Sequence, residues 1–584
     1  MSELFKRTHM CGELNAENID ENIILNGWVA KRRNLGGLIF VDLRDKTGIT
    51  QVVFNNDVPE ELFNKADSLR GEFVIGIKGV VKERSSKNDK LPTGDIEVFA
   101  NDIVIYSSAE TPPIYIKDDD NVDDNLRLKY RYLDLRKKKM QDNLTLRHRV
   151  VKCTRDYFDF NGFTEVETPM LIKPTPEGAR DYLVPSRMNP GHFYALPQSP
   201  QMFKQLLMVG GTDKYMQIVK CFRDEDLRAD RQPEFTQIDL EMSFVDQDDV
   251  MSVQEGFLKK VMKDIKNVDI EIPFERLTYD DAMDRFGSDK PDTRFGFELK
   301  KLKEATSGCE FDVFNKAEDV RGICVENASS EFSRKNLDKI ITEAKQYGCG
   351  GVVWIRVEED KYNSSVNKFF DQDGLKKIAD VFDAKPNDLI LIVADKSKVV
   401  YDSLGFLRRH LASKLGLLDD NKFNFLWVVD FPLFEGDEET GEMKAMHHPF
   451  TQPKIDEIHM LDTEPLKVKA DAYDIILNGV ELGGGSIRIH DKDLQTKMFN
   501  VLGLTEAECD EKFGFLIEAF KYGVPPHAGL AYGLDRLVML LLGESSIREV
   551  IAFPKNQNAE CMVSEAPGIA SKEQLEELGI SVNE

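Results

Sequence analysis

A strand, a charged loop and a second strand, predicted over residues 214–244, constrain the fold of this chain most strongly. From residue 235 onward, the side chains alternate between the two faces of an extended chain. One face carries Phe235, Gln237, Asp239, Glu241 and Ser243, and the other carries Thr236, Ile238, Leu240, Met242 and Phe244. The pattern predicts an antiparallel pair of strands with one face in the core and the other available for chemistry.

The loop between these strands opens with Arg223, directly after the strand predicted over residues 214–222. A guanidinium at this position can bind a phosphate and a carboxylate at once, because its donors form a planar fork. The P-loop, the nucleophile elbow G-x-S-x-G and the zinc signature H-E-x-x-H do not occur in the sequence. The loop therefore favours a nucleotide site that is built without a P-loop.

Length and charge limit the class of protein further. The 584 residues exceed a single hydrophobic core and predict three or four domains. We expect a cytoplasmic protein without a membrane partner, since no apolar run is long enough to span a bilayer and residues 1–14 lack the pattern of a signal peptide. The net charge of −26 argues against a protein that coats DNA or other nucleic acid nonspecifically. Eight scattered cysteines without a C-x-x-C pair favour neither a zinc site nor a disulfide framework.

Basic residues nevertheless cluster at residues 31–33 and across residues 127–149. Such patches on an acidic protein fit the selective docking of a polyanion. A charge run more often forms a solvated face, and the pattern alone leaves both interpretations open.

Five short strands are predicted in the N-terminal region, at residues 23–31, 38–43, 49–54, 73–82 and 95–105. This density predicts a small β-barrel of the OB type within residues 1–107. Such barrels bind single-stranded nucleic acid through exposed aromatic side chains and polar edges. Phe40 and Gln51 are candidates for stacking on a base and reading it, although a strand Phe more often belongs to the core.

The rest of the chain divides by composition into an α/β multidomain arrangement of α+β type. A polar, proline-marked linker over residues 108–141 precedes a first catalytic segment, 142–287. That segment has a helix predicted over 142–161 and then, in residues 163–170, a strand that Pro169 stops. Glycines, short strands and amphipathic helices over 288–424 predict an inserted α+β domain, with strands at 351–357 and 389–394. The chemical clusters resume over 425–556, and residues 557–584 form a C-terminal extension.

The segment 530–542 carries a helical apolar stripe of Leu534, Leu537, Val538 and Leu541. Arg536 lies in its first turn, off that stripe, where a cation is unfavourable for the helix itself. Gly529 and Gly533 permit close approach of the backbone, and a helix start attracts anions. The pattern fits a ligand-binding arginine and, equally, a packing pair of glycines beside a surface arginine.

Glu481 and Arg488 flank three glycines after an apolar strand predicted at residues 472–477. A glycine backbone can lie against a flat adenine and Glu481 can hold Mg²⁺ on phosphates, although a lone glycine triplet is weak evidence. His447 and His448 lack the further spacing of a metal site, which favours contact with a carboxylate substrate or a lid role. Gln201 and Lys204 share one face of a helix that begins after a proline, a pattern that plain surface also produces.

Taken in order, three segments resemble the motifs of class II aminoacyl-tRNA synthetases. Residues 162–169 resemble motif 1, residues 222–225 with their return strand resemble motif 2, and residues 533–536 resemble motif 3. The strings Gln-Ser-Pro-Gln-Met-Phe-Lys at 198–204 and Met-His-His-Pro-Phe at 446–450 make the chain similar, nearly end to end, to the bacterial-type aspartyl-tRNA synthetases. The insertion resembles that family's GAD domain.

The resemblance implies an N-terminal OB-fold anticodon-binding barrel joined to a class II antiparallel-sheet catalytic domain. It implies an aspartate–tRNA ligase, which activates L-aspartate with ATP and transfers it to the 3′ end of tRNA(Asp). ATP, L-aspartate and tRNA(Asp) would be its partners, with Mg²⁺ as the cofactor and a second copy of the chain in a homodimer.

The same resemblance implies the roles of individual residues. Glu177 and Gln201 would hold the ammonium region of aspartate, Asp239 would orient Lys204, and Arg223 would bridge the substrate carboxylate and the α-phosphate. The side-chain carboxylate of aspartate would face Lys204, Arg488 and one of His447 and His448. The residues that bind ATP would be Arg223, Asp224, Glu225, Gln232, Glu481, Gly533, Leu534, Asp535 and Arg536. Arg223, Glu225 and Arg536 would be catalytic, and Glu481 would also hold Mg²⁺.

Selectivity has two expected sources. Lys204 and Arg488 would reject asparagine, because its neutral amide would leave two buried cations unpaired. Phe40 and Gln51 match the family's anticodon-stacking and base-reading positions. Relatives with relaxed tRNA choice tend to carry histidine where this chain has Leu35, which favours tRNA(Asp) alone over the charging of both tRNA(Asp) and tRNA(Asn).

Two alternatives remain, one within the enzymes and one from a different functional class. An asparaginyl or lysyl relative is disfavoured by Lys204 together with Arg488 and by the insertion. A binding-only descendant is disfavoured because Arg223, Glu225 and Arg536 are all present.

Overall fold

The computed structural model describes residues 4–174, 178–437 and 440–582. Its backbone divides into two compact units. One comprises Met1–Val151, Glu225–Pro233 and Val538–Glu584, and the other comprises Lys152–Asp224 and Glu234–Leu537. The motif 2 loop thus belongs to the first unit, whereas the two strands that flank it belong to the second.

A closed five-stranded barrel opens the first unit, with the strand order β1-β2-β3-β5-β4. Its elements are β1 Asn22–Asn34, β2 Ile39–Arg44, β3 Ile49–Phe54, α1 Glu60–Ser68, β4 Val74–Glu83 and β5 Ile96–Ser107. Side chains that alternate inward fill it, among them Leu25, Val41 and Ile77, all fully buried. The five predicted strands are confirmed. Helix α1 was not predicted, because only Leu62 and Ala66 of its residues are buried and the stretch looks polar.

The linker after the barrel contains two short helices, α2 Asp124–Lys129 and α3 Arg131–Asp134. Arg131 and Asp134 are buried and lie 2.7 Å apart, and Arg127 pairs with Glu549 at 2.9 Å. Further pairs join Arg136 to Glu72 and Lys137 to Asp134 and Asp120. Much of the basic cluster at residues 127–149 is therefore neutralised inside the first unit. For these residues, both earlier interpretations, a solvated face and a docking patch for a polyanion, were wrong.

Helix α4, Lys138–Phe160, starts earlier than predicted and leads into β6, which is only Thr164–Glu165. The strand predicted from Phe163 to a stop at Pro169 is shorter than predicted, because only Thr164 and Glu165 pair with β9. The following elements are β7 Leu183–Pro185, β8 Phe193–Ala195, α5 Gln201–Val209, β9 Lys214–Phe222, β10 Glu234–Ser243, α6 Gln247–Val261, β11 Glu275–Thr278 and α7 Tyr279–Phe286.

The inserted region is an α+β module, as predicted. Its elements are β12 Lys300–Lys301, α8 Asp312–Lys316, β13 Asp319–Val325, α9 Arg334–Ala344, β14 Val353–Val357, β15 Tyr362–Ser364, α10 Gln372–Val381, β16 Leu389–Asp395 and α11 Ser397–Lys414. The five strands form an antiparallel sheet in the order β12-β13-β16-β14-β15. Alternate residues of β16 enter two separate cores, Leu391 on one face and Ile390 and Ile392 on the other.

The chain then returns to the sheet that contains β9 and β10. The remaining elements are β17 Phe425–Val429, β18 Phe434–Gly436, β19 Met443–Ala445, β20 Ala472–Leu477, β21 Val480–Ile487, α12 Lys492–Val501, α13 Glu506–Phe520, β22 His527–Gly533, α14 Leu534–Leu542 and α15 Lys572–Leu578. Eight strands form the sheet β11-β17-β20-β21-β22-β10-β9-β6. Its six inner strands are antiparallel, and only the outermost pairs β11–β17 and β6–β9 are parallel.

All eight cysteines are free, and five of them are buried. Within the part of the chain that the structure describes, no helix combines the length and the apolar character needed to cross a membrane.

Candidate active site on the antiparallel sheet

Four charged side chains meet inside the second unit, where β10 and β21 lie on either side of β22. Asp239 and Glu241 belong to β10, Lys204 to α5, and Arg488 follows β21 directly. Each of the four is no more than 2% exposed. These carboxylates lie on the face of β10 that was predicted for chemistry, but helix α5 packs against it, so Asp239 and Glu241 are buried.

The four charges balance one another. Lys204 lies 2.6 Å from Asp239 and 3.2 Å from Glu241, and Arg488 donates to both oxygens of Glu241 at 2.9 and 3.2 Å. Burial opposes ionisation, but the charges of Arg488 and Lys204 lower the pKa of Glu241 to about 2. The expectation that Lys204 and Arg488 are unpaired without a substrate carboxylate was therefore wrong.

Glu241 was not singled out as a site residue by the sequence. It stands opposite Gly529 in the pairing of β10 with β22. A Cβ on Gly529 would lie 1.9 Å from a carboxylate oxygen of Glu241, so only glycine leaves room for this side chain. The signal was present in the alternation, because Glu241 shares a face with Asp239.

The two histidines have different surroundings. Arg488 can only donate, so Nε2 of His448 accepts its hydrogen bond at 2.7 Å. Nδ1 of the same ring lies 3.2 Å from the backbone N–H of Phe450 and 3.3 Å from the hydroxyl of Thr451. Burial and the neighbouring Arg488 hold the pKa of His448 well below its usual value. His447 instead places Nε2 3.4 Å from Asp474.

Gln201, which was predicted to hold the ammonium region of aspartate, has buried polar partners. Gln201, buried on α5, donates to Gln205 at 3.2 Å, and Gln205 lies 3.1 Å from Nε2 of His527. Gln201 and Lys204 share a face as predicted, but that face is in the interior rather than on the surface. Glu177, the other predicted residue, lies outside the described residues.

The glycine run after Glu481 does not offer a flat open surface. Gly483, Gly484 and Gly485 lie within β21. The space that a Cβ would take at these glycines is already occupied, by backbone of β22 at the first and third and by Asp474 at the second. The idea that adenine lies against these three glycines was therefore wrong, since protein atoms fill the gap.

The predicted phosphate-binding residues gather where β22 becomes α14. Residues 527–533 are a strand, so the helix starts only at Leu534, with Arg536 in its first turn as predicted. Arg536 donates to the backbone oxygen of Glu481 at 2.7 Å, and the buried carboxylate of Asp535 accepts from the backbone of Thr236 at 2.8 Å. Gly533 ends the strand at this junction. Arg223 stacks over the ring of Phe235, 5.1 Å from its centre.

A second charged cluster lies beside Glu481. Lys290 is 3.5 Å from Glu481 and 2.8 Å from Asp289. Burial raises the pKa of Asp474, and the charge of nearby Glu481 raises it further, against the effect of His447. Among the described residues no group of three or more His, Cys, Asp and Glu side chains is arranged to hold a metal ion. Asp474 and Glu481 remain a pair of oxygen donors of the kind that Mg²⁺ takes when phosphates complete its ligand set.

The loop residues predicted to bind ATP have these partners. Asp224 lies 3.5 Å from Arg180 in the second unit. In the first unit, Glu225 pairs with Arg231 at 3.1 Å, and the buried amide of Gln232 is bonded at both ends to the backbone of Lys555.

The predicted anticodon residues lie on the barrel. Leu35 is 69% exposed in the β1–β2 turn, and Phe40 is half-buried on β2 beneath the guanidinium of Arg33. Gln51 is buried and bonded to Glu97, Arg33 and Arg84. Of these three side chains, Leu35 and Phe40 are accessible to solvent and Gln51 is not.

Two family models cover most of the chain. The model described as tRNA synthetases class II (D, K and N) matches residues 123–557, and the model of an OB-fold nucleic acid binding domain matches residues 23–106. Among solved structures, an asparaginyl-tRNA synthetase from Pyrococcus horikoshii has a TM-score of 0.60 at 20% identity, and the match covers 94% of this chain and 98% of that one. A putative aspartyl-tRNA synthetase from Leishmania major also has a TM-score of 0.60, at 19% identity and 95% coverage of both chains. These structures share the fold.

Curated relatives are much more similar in sequence. An aspartate–tRNA(Asp/Asn) ligase of Thermoanaerobacter pseudethanolicus is 55% identical, and an aspartate–tRNA ligase of Ruminiclostridium cellulolyticum is 56% identical. Both matches cover 99% of this chain and 98% of the relative. The chain therefore belongs to the class II aminoacyl-tRNA synthetases and, within them, to the family of aspartate–tRNA ligases.

Proposed function

We propose that this chain attaches aspartate to tRNA in two steps, activation by ATP and transfer to the 3′ end of the tRNA. The observation that carries the proposal is the buried set of Lys204, Asp239, Glu241 and Arg488. Such a set orients two cations with fixed geometry and suits the recognition of a small carboxylate.

The set distinguishes aspartate from asparagine by hydrogen-bond polarity. Lys204 and Arg488 carry donors only, and Asp239 and Glu241 already hold them in place. A substrate carboxylate would accept from these two cations in exchange for part of the contacts that they now make with Leu240, Glu241, His448 and Ser486. Asparagine has an amide NH₂ group in place of one carboxylate oxygen, and this group is a donor. Whichever way the amide is rotated, its NH₂ group would face the donors of either Lys204 or Arg488.

Activation needs positioning and charge neutralisation rather than a protein base. The α-carboxylate of aspartate attacks the α-phosphorus of ATP, a new O–P bond forms, and pyrophosphate leaves with the electron pair of the broken bond. Arg223 would hold the α-phosphate and the substrate carboxylate, and Arg536 the outer phosphates. Asp224, Glu225, Gln232 and residues 533–535 complete the proposed ATP-binding set.

Mg²⁺ fits the residues present. Glu481 and Asp474 are oxygen donors on the adjacent strands β21 and β20, and Mg²⁺ in nucleotide sites commonly takes one or two carboxylates together with phosphate oxygens. When bound, the ion would neutralise the charge that develops on the departing pyrophosphate.

In the second step a ribose hydroxyl of the tRNA attacks the carbonyl carbon of the adenylate, and AMP departs. The barrel would bind the anticodon, with Phe40 stacking on a base and Gln51 reading it. Gln51 would have to exchange its present partners Arg33 and Arg84 for that base. We further propose a homodimer that acts in the cytoplasm.

Strict tRNA(Asp) specificity is our first proposal, because Leu35 stands where relaxed relatives tend to carry histidine. Charging of both tRNA(Asp) and tRNA(Asn) is the second candidate, since a relative that is 55% identical has the name aspartate–tRNA(Asp/Asn) ligase. Acylation of the two purified tRNAs by the same enzyme preparation separates the candidates.

The first experiment is ATP–pyrophosphate exchange with Mg²⁺ and aspartate, asparagine or lysine, without tRNA. We expect exchange with aspartate alone. Exchange with asparagine or lysine would contradict the substrate assignment. If no exchange occurs, either without or with tRNA, the proposed enzymatic activity would be wrong and the binding-only alternative would take its place.

A further inference from the structure

The inserted domain is anchored to the strand hairpin that carries Glu481. The β20–β21 turn consists of Asn478 and Gly479, both with positive φ. The backbone of Asn424, where the chain leaves the inserted domain, donates to the side chain of Asn478 at 2.9 Å, and Asn478 donates to the backbone of Lys422 at 2.7 Å. A Cβ on Gly479 would lie 3.0 Å from the side chain of Asp292, on the segment where the chain enters the domain.

The entry segment is itself rigidly held. Arg408, buried in α11 of the inserted domain, donates to the backbone oxygens of Gly296 and Phe297 at 2.7 and 2.8 Å. Arg294 forms a two-pronged pair with Asp292 and bonds the backbone of Asp419 on the exit segment. The entry segment, the exit segment and the turn therefore form one bonded junction.

Lys290 extends from this junction to the metal end of the proposed site. Its ammonium group lies 2.8 Å from Asp289 and 3.5 Å from Glu481, the proposed Mg²⁺ ligand. A lysine ammonium group is positively charged at neutral pH, so these distances place a fixed positive charge beside the two carboxylates.

We propose that Lys290 is a positioning residue that acts as a built-in counter-cation at the metal end of the site, held against Glu481 by the root of the inserted domain. This inference rests on the proposed role of Glu481 in metal binding. A cation at this position competes with a divalent ion for the same carboxylate. Glu481 then binds the free ion weakly, and metal binding depends on the oxygens that the phosphates of ATP bring. By holding Lys290 in place, the inserted domain would make the affinity of this site for the metal ion depend on bound ATP.

The test measures Mn²⁺ binding to the free enzyme without ATP, by electron paramagnetic resonance, because Mn²⁺ accepts the oxygen ligands that Mg²⁺ accepts. We expect Lys290→Gln to bind Mn²⁺ about tenfold more tightly than the unsubstituted chain, since a unit charge a few ångströms from the ion is removed. Lys290→Met should behave likewise, and Lys290→Arg should stay within about twofold of the unsubstituted chain. Lys422→Gln is the matched control, because exposed Lys422 on the exit segment carries the same charge.

Unchanged or weaker Mn²⁺ binding in both Lys290→Gln and Lys290→Met would overturn the inference, as would an equal gain in Lys422→Gln. A merely structural role for Lys290 predicts loss of affinity rather than a gain. The double variant Lys290→Gln, Glu481→Gln should lose the gained affinity. If it keeps that affinity, the metal assignment of the proposed function is wrong, whereas a failure of Lys290→Gln alone leaves that assignment intact.

Discussion

The guanidinium of Arg488 is bonded on three sides by protein groups alone. Glu241 takes two of its donors, and the third nitrogen faces both His448 and Ser486. His448 serves as an acceptor in this arrangement, so a second proton on its ring would place two donors face to face. The neutral ring is thus part of how the arginine is held.

The first prediction concerns the pH dependence at His448. The pKa of His448 is lowered, first by burial and then by Arg488, so the unfolded chain takes up a proton near pH 6.5 that the folded chain does not. The stability from the neutral ring is present above that pH and is lost as the pH falls, by about 1.4 kcal/mol per pH unit. Glutamine in His448→Gln can still accept from Arg488 but does not titrate. The difference in free energy of unfolding between this variant and the unsubstituted protein should therefore become smaller as the pH falls from 7.5 to 5.5.

Thermal unfolding of the two proteins at pH 7.5, 6.5 and 5.5 checks this. A slope remains in both, because burial also lowers the pKa of His527. Identical pH dependence of the variant and the unsubstituted chain would show that His448 is not held neutral.

At the scale of elements, the neighbouring strands β10, β22 and β21 approach one another so closely that some positions on them require glycine. A Cβ on Gly485 would lie 2.1 Å from the backbone oxygen of Gly529, and a Cβ on Gly529 would lie 2.3 Å from that of Leu240. Backbone atoms cannot move aside as a flexible side chain can. These glycines are therefore needed for the strands to pack at this distance.

The second prediction therefore compares two glycines. Gly529→Ala should destabilise the protein by at least about 3 kcal/mol, because the new methyl group collides with Glu241 and with backbone. Gly514→Ala, in helix α13 with open space around the site, should be neutral or stabilise by up to about 1 kcal/mol. Chemical denaturation measures both, and equal effects would contradict the close approach of β10 and β22.

The third prediction concerns the junction of β22 with α14. Arg536→Ala should reduce kcat/KM for ATP in pyrophosphate exchange about 10- to 100-fold, since a charged contact to phosphate is lost. Binding of tRNA, measured by filter retention, should stay unchanged. Unaltered activation kinetics would remove Arg536 from the ATP-binding set.

At the scale of the whole molecule, the chain contains two modules, the N-terminal barrel and the synthetase module. The barrel match ends at residue 106 and the synthetase match begins at residue 123. We therefore propose that different parts of the chain recognise the anticodon and the amino acid. In the linker between these two matches, Arg131 pairs with Asp134 and also donates to the backbone oxygens of Arg548, Ile551 and Ala552, which fixes the linker to residues 548–552 of the same unit.

The fourth prediction tests this division. Phe40→Ala should lower kcat/KM for tRNA charging about tenfold, the cost of one lost base stack, while pyrophosphate exchange stays unchanged. Tyr115→Ala, which removes an exposed aromatic ring outside the barrel strands, is the control and should alter neither rate. Equal losses in charging and exchange for Phe40→Ala would contradict a separate anticodon module.

The sequence by itself determined the elements whose patterns are local. Alternation located β9, β10 and the five barrel strands, helical spacing placed Arg536 in a first turn, and the order of three short motifs identified the class. These signals are readable because a strand or a helix imposes its period on neighbouring residues.

Only the tertiary structure decided which distant residues share a site and in what charge state. Glu241 and Arg488 are 247 positions apart, yet the sheet sets them side by side, and Gly529 of a third strand leaves the space for their contact. The basic cluster around Arg131 became a buried ion network, and Lys290 came to lie beside Glu481 across the root of an inserted domain. Such outcomes depend on burial and on contacts between elements far apart in the chain, which a local pattern does not encode, and for charged groups these decide whether a side chain is a solvated surface or part of a site.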